Sequence, residues 1–256
     1  MTVLLAVDDG IATLTLDRPQ ARNALSLALM SEFEAALART AADPAVRVLV
    51  LAANGPAFCA GHDLKEMRAL EGREAVAAVF SQCARLMTAI VRHPRPVIAK
   101  VHGIATAAGC QLVASCDLAY AADTARFAVP GVNIGLFCST PMVALSRVVS
   151  RKRAMEMLLS GDMVDAAAAA DWGLINRAVP AAELDGVVEG VARAAAAKSP
   201  YTIKVGKEAF YRQAEMPLDE AYAYAARVMT ENLLAADAAE GIDAFLARRA
   251  PCWRGE

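Results

Sequence analysis

Val101-His102-Gly103-Ile104-Ala105-Thr106-Ala107-Ala108-Gly109-Cys110-Gln111 follows the β-branched run Pro96 to Val101 through small residues and opens a helix from about Ala107. A strand that ends this way lets the helix pack closely on a sheet. It also leaves the first helical N–H groups unpaired, at the positive end of the helix dipole. Such an end suits a phosphate, or an oxygen that gains negative charge during a reaction. The G-x-G-x-x-G spacing of a dinucleotide site is absent. A second turn of this type lies upstream, in Phe58-Cys59-Ala60-Gly61-His62-Asp63-Leu64-Lys65-Glu66-Met67. There a strand enters a glycine turn and then a charged helical stretch, with Asp63 placed to cap the helix. Glu66 falls on the solvated face of that stretch.

Strands and helices alternate outward from these turns. Thr2–Val7 and Ile11–Leu16 flank Asp8-Asp9-Gly10, a hairpin signal. A helical pattern from Ser26 to about Ala41 puts Leu27, Met30, Phe33 and Leu37 on one face. Val46–Leu51 reads as a buried strand, Ala52 to Asp63 as a loop, and Glu74 to about Arg92 as an amphipathic helix. Asp117–Tyr120 and Arg126–Val129 are short strands. From Ser139 the pattern is mostly helical, broken at Gly161, Gly173, Pro180, Pro200 and Pro217. No internal repeat and no linker-like run is visible. The pattern predicts an α/β core over residues 1–196 and a helical part over 197–256 used for assembly.

The chain has 256 residues with a net charge of −2, and 57% of them are hydrophobic. That balance excludes a disordered chain and a basic nucleic-acid-binding field. The longest stretch without Asp, Glu, Lys or Arg, Phe127 to Ser146, contains Pro130, Gly131, Asn133, Gly135 and Pro141, which break a membrane-spanning helix. Met1 to Val7 meets Asp8 at once, unlike a signal or transit segment. Six cysteines without a CxxC pair read as reduced thiols, and three histidines give no zinc set. The expectation from these features is a soluble cytoplasmic protein without a metal.

The two turns, read with Pro96-Val97-Ile98-Ala99-Lys100-Val101-His102-Gly103 and Cys116-Asp117-Leu118-Ala119-Tyr120-Ala121, resemble the enoyl-CoA hydratase/isomerase (crotonase) family. Asp17-Arg18-Pro19, Arg22-Asn23-Ala24-Leu25 and Leu159-Ser160-Gly161 carry the same resemblance, which runs in order from about residue 3 to residue 253. His62 after Ala-Gly, the segment Ala105 to Asp117 and Gly135-Leu136-Phe137-Cys138-Ser139-Thr140-Pro141 look closest to one branch of hydratase-domain-containing proteins, known in a mitochondrial form. The resemblance implies a crotonase (ClpP-like) fold of stacked ββα turns whose C-terminal helices build a homo-oligomer, a trimer or a dimer of trimers. It also implies an acyl-CoA substrate, with coenzyme A as part of that substrate and no separate cofactor. The N–H groups of His62 and Ala108 would hold the thioester oxygen. Contacts to coenzyme A would map onto Arg22, Ala24, Ala60 and Lys65, with a C-terminal basic residue at Arg248. Cys138 and Ser139 would line the acyl pocket.

The sequence departs from the family where hydratases use two glutamates. Gln111 and Gly131 stand there. An amide can orient water but cannot accept its proton, and glycine offers no side chain. A positioned acid or base contributes about 10² to 10⁴ in rate, so efficient hydration is not expected. His62 could titrate near neutrality and substitute for a missing group. Three readings follow: an atypical hydratase or isomerase, a decarboxylase of malonyl-type thioesters, and a non-catalytic acyl-CoA binder. Gln111→Glu with Gly131→Glu would raise hydration if only these acids were missing.

Overall fold

The computed structural model covers residues 1–256. The strands β1 (Val3–Asp8) and β2 (Ile11–Leu16) form an antiparallel hairpin, and α1 (Leu27–Ala42) follows. Next come β3 (Val48–Ala53), β4 (Ala57–Cys59), α2 (Leu64–Arg68), α3 (Gly72–Val91), β5 (Val97–Val101), β6 (Ile104–Thr106) and α4 (Ala108–Ser115). β7 (Leu118–Ala122), β8 (Arg126–Ala128), α5 (Pro141–Val148), α6 (Arg151–Ser160), β9 (Val164–Asp165), α7 (Ala166–Asp171) and β10 (Arg177–Val179) complete the mixed part. Helices α8 (Leu184–Ala196), α9 (Pro200–Gln213), α10 (Leu218–Leu234) and α11 (Ala236–Leu246) close the chain.

Two sheets share these strands. One runs β1-β2-β3-β5-β7-β10 and is parallel from β2 onward; the other runs β4-β6-β8-β9. The chain therefore steps from the large sheet to the small one three times, at β3–β4, β5–β6 and β7–β8. After β4 and after β6 it returns through helices. This is a repeat of ββα turns, as the resemblance implied, although no repeat shows in the residues. The strands of the small sheet have two or three residues each, too few to carry a period.

The sheets explain the apolar runs. On β3, Leu49 and Leu51 enter the main core with Leu14, Phe33, Leu86 and Phe127, while Val48 and Val50 face a smaller cluster under α8 with Val188. A parallel strand covered on both faces reads as continuous rather than alternating, which is how Val48–Ala52 reads. Ser26 caps α1 by accepting from the Leu29 N–H, and Gly161 ends α6 in the left-handed conformation. The uncharged stretch from Phe127 to Ser146 forms no single helix: β8 ends at Ala128, a 3-10 turn covers Pro130–Ile134, and α5 starts at Pro141. α3 is long and apolar enough to cross a membrane, yet it turns Val79, Cys83, Leu86 and Ile90 into the core.

Candidate active site

The first turn brings two distant segments together. Ala60 donates to the Arg22 carbonyl at 3.0 Å, Leu25 donates to the Gly61 carbonyl at 2.7 Å, and Asp63 donates to the Leu25 carbonyl at 3.1 Å. This short parallel bridge places Arg22, Ala24, Ala60 and His62 side by side. It uses the Gly61 carbonyl and the Asp63 N–H on either side of His62 and leaves the His62 N–H without an acceptor. Arg22 and Asn23 are both left-handed (φ 51° and 55°), and the buried Asn23 side chain holds the loop by donating to the Asn54 and Ala57 carbonyls at 2.8 Å. Asp63 caps α2, accepting from Lys65 and Glu66, and pairs with Arg18 at 2.7 Å. The Arg18 hydrogen bond outweighs burial and holds the Asp63 carboxyl below its ordinary range. Arg18 also donates to the Ala24 carbonyl at 3.1 Å, so one guanidinium braces both sides of the turn.

The second donor sits opposite. Gly61 has φ +91°, and a Cβ there would lie 2.9 Å from the Ala107 Cβ and 3.3 Å from the Ala108 nitrogen. Only glycine lets the turn approach α4 this closely. Ala107 itself adopts φ 50°, and its N–H is bound to the Ala128 carbonyl. The Ala108 N–H opens the helix with no acceptor. A Cβ on Gly109 would meet the Cys59 carbonyl oxygen at 2.0 Å, so α4 also rests directly on β4. Close packing and an unpaired helix N-terminus are both properties of this one segment. The His62 and Ala108 N–H groups, on neighbouring elements, are thus both without a backbone acceptor.

Around them the side chains are sparse. Gln111 lies one turn into α4, 5% exposed, and its carbonyl faces the Cys83 thiol at 3.9 Å. It forms part of the wall of a cleft of about 1220 Å³ that also includes Met87, Val91, Ala114, Val143 and Phe210. Gly131 is buried, and a Cβ on it would lie 2.3 Å from the Leu136 carbonyl oxygen and 2.8 Å from the Cys138 sulfur. The loop has closed over the position at which the resemblance expects the second carboxylate. A glutamate at 131 therefore fits only if the Leu136–Cys138 segment moves. The Cys138 thiol is buried and pushed above its ordinary pKa by that burial. Ser139 is exposed and donates to the Phe137 carbonyl within its own loop. Lys65 is exposed on α2. Arg248 lies beyond α11 with no hydrogen bond or ion pair to any of these residues, and the single chain does not bring it to the site.

The His62 ring packs edge-on against Phe80 of α3, with centroids 5.7 Å apart. Both ring nitrogens are out of water and neither has a hydrogen-bond partner. Burial pushes its pKa below 6.5, opposed in part by the nearby Leu25 carbonyl and the Glu66 carboxylate. Glu66 is not simply solvated. Its carboxylate accepts from the Leu27 N–H at 2.9 Å and anchors the first turn of α1. Arg18, Phe80, Cys83 and Glu66 shape the site only through contacts across the fold, which nothing local in the residues announces.

The sequence model of the enoyl-CoA hydratase/isomerase family matches residues 6–256. The chain belongs to the enoyl-CoA hydratase/isomerase family. A crystal structure of enoyl-CoA hydratase from Mycobacterium smegmatis superposes with a TM-score of 0.97 at 52% identity, covering 99% of both chains. The human enoyl-CoA hydratase domain-containing protein 3, mitochondrial, is 46% identical over 97% of this chain and 82% of its own length. Its crystal structure superposes with a TM-score of 0.96, covering 99% of this chain and all of that one. The human family member and its rat, mouse and Xenopus laevis counterparts are all named as mitochondrial, which overturns the cytoplasmic expectation. The physical reason for the error lies in the cysteines. Five of the six are buried, with the thiols of Cys59, Cys83 and Cys110 pushed up to about 12, and inaccessibility keeps such thiols unreactive in any compartment.

Proposed function

We propose that this chain binds acyl-CoA thioesters and polarises the thioester oxygen between the His62 and Ala108 N–H groups, supporting enolate-type chemistry rather than efficient hydration. The observation that supports this reading is a pair of N–H groups without acceptors, His62 after the Gly61 turn and Ala108 at the start of α4, on segments that only glycine lets approach this closely. Coenzyme A is then part of the substrate and no other cofactor is needed. Its phosphates and adenine would lie along Arg22, Ala24, Ala60 and Lys65, with Arg248 contributing from a neighbouring copy in a trimer or a dimer of trimers. Gln111 would orient the acyl group or a water molecule, Cys138 and Ser139 would border the pocket, and Gly131 contributes only its backbone.

Loss of carbon dioxide from a malonyl-type thioester is the second reading. It generates the enolate without a base, so a site with an oxyanion hole and neither glutamate suffices for that step. The deciding experiment mixes purified protein with crotonyl-CoA and follows the enoyl-thioester absorbance, with CoA binding measured by calorimetry. The expected result is saturable binding with hydration at least 10²-fold below that of a two-glutamate hydratase. Rapid turnover would overturn the atypical-site reading. Parallel assays for α-proton exchange in deuterated water and for carbon dioxide release from malonyl-CoA separate enolate formation, decarboxylation and binding alone.

A further inference from the structure

Two ion pairs in the molecule are mostly shielded from water. One, Lys207 with Asp117, anchors α9. The other, Arg18 with Asp63, lies in the first turn of the site at 2.7 Å, its side chains 24% and 14% exposed. Arg18 makes more than that one contact. A second guanidinium nitrogen donates to the Ala24 carbonyl at 3.1 Å, its backbone N–H donates to the Asn23 side-chain oxygen at 2.8 Å, and its carbonyl accepts from the Asn23 N–H at 3.0 Å. Between these contacts Arg22 and Asn23 are both left-handed, a conformation that non-glycine residues seldom take. Such a loop persists only where its surroundings hold it. On the other side, Asp63 follows His62 directly. Its carboxylate is committed to Arg18 and to the Lys65 and Glu66 N–H groups, and its own N–H to the Leu25 carbonyl.

An N–H group polarises an oxygen only when it is aimed at it, and a donor fixed before the ligand arrives needs no reorganisation during the reaction. The planar guanidinium fork holds direction as well as charge, which a flexible ammonium does not. We propose that Arg18 is a positioning residue. Through Asp63 and the Ala24 carbonyl it holds the Arg22–Ala24 segment and the His62 N–H as one rigid unit, so that coenzyme A binding along the first sets the aim of the second at the thioester oxygen. Binding energy from the remote part of the ligand is thereby used where charge develops. This inference rests on the acyl-CoA reading above and adds to it a coupling between the two ends of the ligand.

The test uses two variants of the full chain. Arg18→Lys keeps a cation for Asp63 but loses the fork. Arg18→Met combined with Asp63→Asn leaves no unpaired charge and keeps a capping side chain on α2, so the turn is freed at the least cost to folding. The probe is butyryl-CoA labelled with ¹³C at the thioester carbonyl, read by infrared difference spectroscopy, alongside CoA titration by calorimetry and α-proton exchange in deuterated water. In the unaltered protein the bound carbonyl should absorb at lower wavenumber than the free thioester. In both variants that displacement should shrink toward the free value, and α-proton exchange at saturating ligand should slow by about tenfold or more. A merely structural role would weaken binding or lower the melting temperature and leave the carbonyl band of the bound complex where it was. An undiminished displacement in the double variant would therefore overturn the inference. With the unaltered protein, CoA alone, without an acyl group, should move the backbone ¹⁵N–¹H signal of His62; an unmoved signal at saturation would overturn the coupling even if neither variant binds. Failure of the unaltered protein to bind CoA, or an unshifted carbonyl in its complex, would instead overturn the acyl-CoA reading beneath it.

Discussion

A side chain at position 131 would have to displace the Leu136 carbonyl, 2.3 Å from where its Cβ would lie, and the Cys138 sulfur at 2.8 Å. Overfilling a closed site of this sort costs about 1–3 kcal/mol and forces the backbone to move. Gly131→Glu, alone or combined with Gln111→Glu, is therefore expected to lower the melting temperature by several degrees without raising crotonyl-CoA hydration; a stable, hydrating double variant would show that the loop reopens freely. A different residue, His93, governs the acid behaviour. Burial pushes its pKa from 6.5 down to about 4, with the Lys207 and Arg95 charges adding to the shift and the Arg95 backbone opposing it. The unfolded chain then binds more protons than the folded one between those two values. Stability should fall as pH drops from 6.5, by up to about 3 kcal/mol, and this contribution should level off below pH 4. His62, shifted in the same direction, adds to the same limb. Asp63 and Asp237 have lowered pKa values, and Glu240 is held at about 2, so their contributions are lost only as pH falls below the ordinary carboxylate range. Urea unfolding at pH 7.0, 6.0 and 5.0 measures the histidine limb, and His93→Asn should flatten it.

Helix α9 has no fully buried residue, yet it is tied to the core through polar contacts. Lys207 donates to Asp117 at 2.7 Å and to the Ile90 and Arg95 carbonyls, and Tyr211 donates to the other Asp117 oxygen at 2.9 Å. Asp117 in turn accepts from the Val97 N–H at the start of β5. Lys207→Met leaves a carboxylate in a mostly buried place without its cation, at a cost of about 3 kcal/mol. Faster hydrogen exchange across α9 at unchanged protection of β3 and β5 is the expected signature; uniform loss of protection would mean that α9 and the core unfold as one unit. Legibility in the sequence also divides at this scale. The β1–β2 hairpin, α1 with its Ser26 cap, and every break at Gly161, Gly173, Pro180, Pro200 and Pro217 follow from local chemistry, and they are found in the structure. β4, β6, β9 and β10 do not. Ala57-Phe58-Cys59 is a strand because β6 lies beside it, and Ala52 to Asp63 reads as loop without that neighbour. The same division holds in the site. The unpaired N–H groups follow from a glycine turn and a helix start, whereas the Arg18 brace, the Glu66 tie and the filled slot at Gly131 depend on partners 5 to 45 residues away.

On the scale of the whole molecule, the core is well filled and the C-terminal surface is not. Leu218, Tyr222, Met229 and Leu233 recur at helical spacing along one side of α10, and all are exposed. Leu234 is 77% and Phe245 83% exposed, and Leu246 lies beside them in sequence. Apolar residues scattered singly on a surface need no explanation, but a continuous stripe of this kind along packed helices marks an interface. A net charge of −2 offers little repulsion between copies. The trimer or dimer of trimers proposed above would cover this stripe, and Arg248, just beyond α11, is the residue proposed there to reach another copy's coenzyme A. Multi-angle light scattering should then return three or six times the 26.9 kDa chain mass. Leu234→Glu with Phe245→Glu should shift the mass toward the single chain while the large sheet stays folded by circular dichroism. If Arg248 does serve a neighbour's coenzyme A, these dissociated variants should also lose about tenfold in CoA affinity, roughly 1.4 kcal/mol. Full affinity in a monomer would confine the ligand site to one chain and leave Arg248 a surface charge.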